Sequence, residues 1–232
     1  MASFVLIPGA WHGAWCWARL LPELARFGHE GVAVDLPCDD VDAGFDRYVE
    51  ITAEALDDVG HDAILVGHSL GAHTAARVAL ERPVRHIVYV SGVIPPRSGE
   101  DTSEEPPMEA PHTFDDLVNR DGLMWWPPDG VAATAAMYAD CSREDARWAV
   151  ARLRRQSTTP HRALGELLEP GAPSTSIVCA HDRVVRAEWG RWAARERLRG
   201  APVIEVPGGH SPFLSRPAIL AATLDGIARA AG

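Results

Sequence analysis

The pentapeptide Gly67-His68-Ser69-Leu70-Gly71 constrains this chain more than any other stretch. It follows an apolar run, Ala63-Ile64-Leu65-Val66, which reads as a fully buried parallel strand. It precedes Ala72 to Leu80, which reads as a helix packed on that strand. A turn that carries a buried strand straight into a helix strains the serine backbone and brings two main chains close together. Side chains two residues before and two after the serine would collide there, so Gly67 and Gly71 fit where larger residues would not. The new helix aims its free N–H groups at the serine, a place suited to developing negative charge.

The rest of the chain repeats the alternation of strand and helix. Ser3–Ile7 reads as a first strand, followed by a loop at Pro8-Gly9-Ala10-Trp11-His12-Gly13. Helical spacing runs from Ala14 to Phe27 and stops at Gly28, a C-cap. Val32 to Leu36 reads as a second strand, Phe45 to Val59 as an amphipathic helix and His86–Val90 as the strand after the serine helix. Later come a strand over Ile177 to Ala180, a helix over Glu188 to Leu198, a strand over Pro202 to Val206 and a closing helix over Pro217 to Ala230. Alternation of this kind predicts an α/β fold, a mostly parallel sheet with helices on both faces. Residues 1–94 and 174–232 form its core, and 95–173 form an insertion expected to be a small helical cap or lid. Within the insertion, Pro95 to Pro111 is proline-rich and acidic, hence extended or mobile, and helical patterns cover Val131 to Ala139 and Arg143 to Arg154. The aromatics Trp125 and Trp126 need burial that a pocket beneath a cap would provide.

Composition removes several function classes. A formal net charge of −10 argues against nucleic acid or an anionic membrane as partner. All 22 basic residues are arginine, which excludes a Schiff-base lysine, a P-loop lysine and a Ser–Lys dyad. The four cysteines are widely spaced, and the N-terminus lacks the basic region of a secretion signal. Reduced thiols and a cytoplasmic location are therefore expected. No H-E-x-x-H or Cys/His cluster marks a metal site, and no cofactor motif is present.

A serine hydroxyl needs a base, the base needs an orienting acid, and an oxyanion needs donors. Asp182 lies just past the strand Ile177-Val178-Cys179-Ala180 and is the candidate acid. Asp140, Asp145 and Glu188 are poorer candidates because they sit in or beside predicted helices. His210, on the loop Pro207-Gly208-Gly209-His210 after the last strand, is the candidate base. His181 adjoins the acid, His161 lies in the insertion, and His68 and His73 have structural readings first. The N–H groups of Ala10 and Leu70 would form the oxyanion hole. Trp11 and His12 are read as supports of the first loop, and Trp11, Trp125, Trp126, Phe213 and Leu214 as the substrate-pocket wall or, equally, cap core.

The run Pro8-Gly9-Ala10-Trp11-His12-Gly13-Ala14-Trp15-Cys16-Trp17, with the nucleophile elbow at Ser69, resembles the α/β-hydrolase subgroup that contains plant methylesterases and hydroxynitrile lyases. The resemblance implies a cofactor-free serine hydrolase with Ser69, His210 and Asp182 as triad. It departs from the lyase branch, which carries a lysine after the catalytic histidine, here Ser211, and a threonine in the first loop, here Gly9. The expected activity is cleavage of a small lipophilic carboxylic ester. The alternatives are a thioesterase, lactonase or natural-product tailoring hydrolase, and a small-molecule-binding receptor-like protein with residual activity. The partner is a small-molecule substrate, and the choice between monomer and homodimer stays open.

Overall fold

The computed structural model describes residues 1–232. Its central sheet has six strands, all parallel, in the order β2-β1-β3-β4-β8-β9. These are β1 (Ser3–Ile7), β2 (Glu30–Ala33), β3 (Ile64–His68), β4 (His86–Val90), β8 (Ser174–Cys179) and β9 (Val203–Val206). Every residue of β3 and β4 is buried, as strands covered on both faces must be. Helix α1 (Leu20–Arg26) packs on α9 (Pro217–Ala230), and α2 (Phe45–Val59) packs on α3 (Gly71–Glu81). Strand order reverses between β1 and β3, and the loops that leave their carboxyl ends carry Ala10 and Ser69. Ligands of open α/β sheets bind at such a switch point.

Three local expectations shift. The helix expected over Ala14 to Phe27 divides into a 3-10 turn, Ala14–Arg19, and α1. Pro22 has no N–H to give to Ala18, so a single α-helix cannot run through. Gly28 does end it, at φ +76°. The second strand lies earlier than Val32 to Leu36, at Glu30–Ala33. Beyond Val34 the chain is drawn away from the sheet edge, because Asp35 accepts the Ala14 N–H and Leu36 O accepts from Arg154.

Between β4 and β8 the insertion is not purely helical. It carries a three-stranded antiparallel sheet, β5 (Val118–Arg120), β6 (Leu123–Trp125) and β7 (Gln156–Ser157). Around it lie α4 (Val131–Met137), α5 (Arg143–Val150) and α6 (Thr158–Arg162). The proline-rich acidic stretch has no helix or strand, yet it is pinned. Arg197, 1 % exposed on α7 (Ala187–Arg197), pairs with Glu100 at 2.8 Å and Glu105 at 2.7 Å and donates to Ile94 O. Its guanidinium lies 4.6 Å from the Trp192 ring. Further along, Ala110 N–H donates to Arg183 O and Arg186 N–H to Met108 O, which ties the stretch to the loop after β8.

Removing the cation would leave two partly buried carboxylates facing apolar surroundings. Arg197→Met is expected to destabilise the protein by roughly 3 kcal/mol, read from urea unfolding. A change below about 0.5 kcal/mol would show that the pairing is only a surface contact.

Candidate active site

Ser69 sits at the carboxyl end of β3 with φ +51°, left-handed for a residue with a side chain. Conformations of this kind cost about 1–3 kcal/mol and persist only where their surroundings enforce them. The enforcement is visible in the contacts. A methyl on Gly67 would stand 2.6 Å from Ala72 Cα, and one on Gly71 would stand 2.5 Å from Pro8 O. One on Gly9 would meet Ser69 Cβ at 2.8 Å. Strand, helix and first loop thus converge on the serine with no room for a β-carbon between them.

Asp182 and His210 come from the loops after β8 and β9. His210 Nδ1 lies 2.9 Å from Asp182 Oδ2, so the ring N–H donates to the carboxylate and Nε2 is left as the basic nitrogen. The second oxygen of Asp182 accepts the N–H groups of Val184 at 2.8 Å and Val185 at 2.9 Å, which fixes the acid in place. His68, next to the serine, donates from Nε2 to His210 O at 2.8 Å. The two rings lie 4.6 Å apart. Ser69, Asp182 and His210 are only 7 %, 6 % and 3 % exposed. Ser69 Oγ and His210 form no hydrogen bond; nucleophile–base contacts often align only once a substrate is in place. Neither Ala10 N–H nor Leu70 N–H has a backbone acceptor, whereas Ser69, Ala72 and His73 N–H all do.

The insertion clasps the first loop from above. Trp11, at φ +65°, gives its backbone N–H to Gln156 Oε1 and its indole N–H to Met124 O, and its carbonyl accepts from Arg154 N–H. His12 Nδ1 lies 2.8 Å from Ala10 O, which can only accept, so Nδ1 carries the proton and Nε2 accepts from Tyr138 Oη at 2.7 Å. Burial holds His12 down to about 4, keeping it neutral and this arrangement intact. Burial likewise lowers His68 far below its ordinary value and His73 to about 4. Gln156 and Tyr138 carry no sequence signature, because each acts through contacts with residues more than a hundred positions away.

The expected pocket wall separates into three places. Trp126, 6 % exposed, packs edge-on to Trp11 at 5.4 Å, with Phe114 5.7 Å from it. Trp125 has its ring covered by Arg155 at 4.5 Å, in a groove that Trp126, Arg147 and Arg154 also line. Phe213 is sealed beneath the site, its ring 4.9 Å from that of His68 and 5.0 Å from that of Trp17, and Leu214 joins the same core. Of the other histidines considered, His181 is exposed and His161 lies 6.4 Å from the Trp11 ring. No three His, Cys, Asp or Glu side chains converge as metal ligands, and no helix is long and apolar enough to cross a membrane. All four cysteines are free.

A strained serine on a strand–helix turn, with a histidine held by an aspartate on the loops after β9 and β8, is an arrangement that α/β-hydrolases carry. Residues 4–223 match the alpha/beta hydrolase family, and the chain belongs to it. It is 28 % identical over 249 residues to norfluorocurarine synthase 2 of a Strychnos species, covering 92 % of this chain and 90 % of the relative. It is 26 % identical over 260 residues to methyl jasmonate esterase 1 of Vitis vinifera, covering 97 % and 95 %. Among solved structures, a pyrethroid hydrolase from Sphingobium faniae JZ-2 superposes with a TM-score of 0.84 at 22 % identity, over 99 % of this chain and 98 % of that one. At that identity the likeness concerns the fold.

The buried neutral histidines give stability a definite pH dependence. His12 takes up a proton at its ordinary 6.5 when unfolded but only near 4 when folded. Its contribution is therefore complete above pH 6.5 and lost as pH falls toward 4, about 3 kcal/mol for this residue alone. Urea midpoints measured from pH 7 to pH 4 are expected to fall throughout that window, with a shallower slope in His12→Gln. Flat midpoints would contradict the neutral assignment.

Proposed function

We propose that this chain is a cofactor-free serine hydrolase that cleaves a small lipophilic carboxylic ester through an acyl-enzyme. The single observation that supports this most is the Asp182–His210 hydrogen bond, which leaves Nε2 as base beside a serine held at positive φ. Ser69 Oγ attacks the ester carbonyl while His210 Nε2 takes its proton, and Asp182 stabilises the imidazolium. The unpaired N–H groups of Ala10 and Leu70 receive the oxyanion. The tetrahedral intermediate collapses as His210 returns the proton to the leaving alcohol. Water, deprotonated by the same imidazole, then attacks the acyl-enzyme and releases the acid. Ser69, Asp182 and His210 are almost closed to solvent, and the first loop beside Ser69 carries the apolar cluster of Trp11, Phe114 and Trp126, which would shift to admit substrate. An apolar cluster at that entrance favours a lipophilic ester over a charged one.

Ester-cleaving names among the relatives, methyl jasmonate esterase 1 and methylesterase 9, agree with this chemistry. Cyanohydrin cleavage is disfavoured by the residues themselves. The chain has no lysine, and at Gly9 even a methyl would collide with Ser69 and His68.

Ser69→Ala is expected to lower turnover of a p-nitrophenyl ester by about three decades or more and to abolish labelling by a fluorophosphonate. Unchanged turnover would remove Ser69 from the mechanism. Saturable binding of small acids by a wild-type protein that resists the phosphonate would favour a receptor-like role.

A further inference from the structure

Asp140 lies between α4 and α5, and both its carboxylate oxygens are buried without a hydrogen-bond partner. A carboxylate so placed is costly unless it serves a neighbour. It does not cap α5, since Ser142 Oγ accepts the Asp145 N–H there. Nor does it pair with the nearby Arg216, whose guanidinium donates to Ser215 O. What the carboxylate faces is the turn that carries His210. A methyl on Gly209 would stand 2.8 Å from Asp140 Oδ1, and one on Gly208 would stand 2.9 Å from Oδ2.

That turn has a matching deficit. Residues Gly208 to Ser211 are buried, and none of their N–H groups donates to a backbone carbonyl. Gly208 has φ +119°, and Ser211 Oγ and Ser215 Oγ are buried without partners as well. A run of free N–H groups in a glycine turn forms a concavity suited to an anion. Here the anion available is the side chain of the insertion itself. The same short segment holds Tyr138, whose hydroxyl donates to His12 and, through His12, braces Ala10 O. One piece of the insertion therefore reaches both the histidine turn and the oxyanion loop.

We infer that Asp140 is a positioning residue for His210, its carboxylate accepting the N–H groups of the Gly208–Ser211 turn as the cap closes over substrate. The inference rests on the triad reading above and adds to it a link between cap closure and the base. Cap and imidazole reach their working positions together, and the two glycines are required because any β-carbon would expel the carboxylate. Asp140 touches no reacting atom.

The test compares three substitutions. Asp140→Asn keeps one acceptor oxygen. Asp140→Leu keeps the branch at Cγ but has no acceptor, and Asp140→Ala has neither, so any one of them that fails to fold leaves a decisive pair. Each is assayed for kcat and KM on a p-nitrophenyl ester and for its rate of fluorophosphonate labelling, with circular dichroism as the check on folding. Expected is a fall in kcat of about ten- to a hundredfold for Leu and Ala, with KM changed less than about threefold, slowed labelling, and recovery of most of the loss in Asn. Wild-type kcat and labelling in Leu or Ala, or equal losses in Asn and Leu, would overturn the role of Asp140 while leaving the triad standing. A wild-type enzyme that the phosphonate does not label at Ser69 would overturn the triad reading, and this inference with it.

Discussion

Everything in the site depends on three backbones meeting where no β-carbon fits. Gly67, Gly71 and Gly9 let β3, α3 and the loop after β1 close on one another, and each would clash if it carried a methyl. The same convergence forces Ser69 to φ +51°. It also leaves the N–H groups of Ala10 and Leu70 unpaired next to it. Strain and donors are thus two results of one packing constraint. The parallel sheet on either side, buried on both faces, supplies the rigidity that holds it.

A second layer holds the first loop by polar contacts made in the dry interior. Trp11 and His12 are fixed by Gln156, Met124, Arg154 and Tyr138, all from the insertion. These bonds work only while His12 is neutral, since a protonated ring could not accept from Tyr138. Burial secures that state over the whole physiological range. His68 is used in the same way beneath the elbow, giving its one N–H to the carbonyl of His210. Neutral imidazoles serve here as rigid two-ended connectors rather than as acids or bases.

What could be read from the sequence follows from how local each constraint is. The bounds of β1, α2, β4 and α9 coincide with the apolar periodicity and, for β1, α2 and α9, with the glycine or proline at their ends. Ser69, Asp182 and His210 stood out because each follows a strand of the sheet on a loop with turn residues, and the fold brings the carboxyl ends of those parallel strands to one side. The small sheet of the insertion was illegible. Its strands have three, three and two residues, none with a full alternation to betray it. Trp125 and Trp126 could not be told apart without that sheet, since β6 carries Trp125 and ends before Trp126. Asp140 was set aside for lying beside a helix, yet its place against the histidine turn is a matter of tertiary packing alone.

The division of labour between core and insertion has a consequence for specificity. In the mechanism proposed above, the groups that meet the reacting carbonyl are backbone N–H groups and side chains rooted at strand ends, so their positions are insensitive to substitutions elsewhere. Trp126 and Phe114 instead hang from an insertion held to the core by side-chain hydrogen bonds and ring contacts. Contacts of that kind can be exchanged one at a time without disturbing the elbow. Gly9 marks the limit of this freedom. It lies in the loop after β1, and enlarging it would move Ser69 and His68 together, so on the proposed mechanism it would alter the chemistry along with the selectivity.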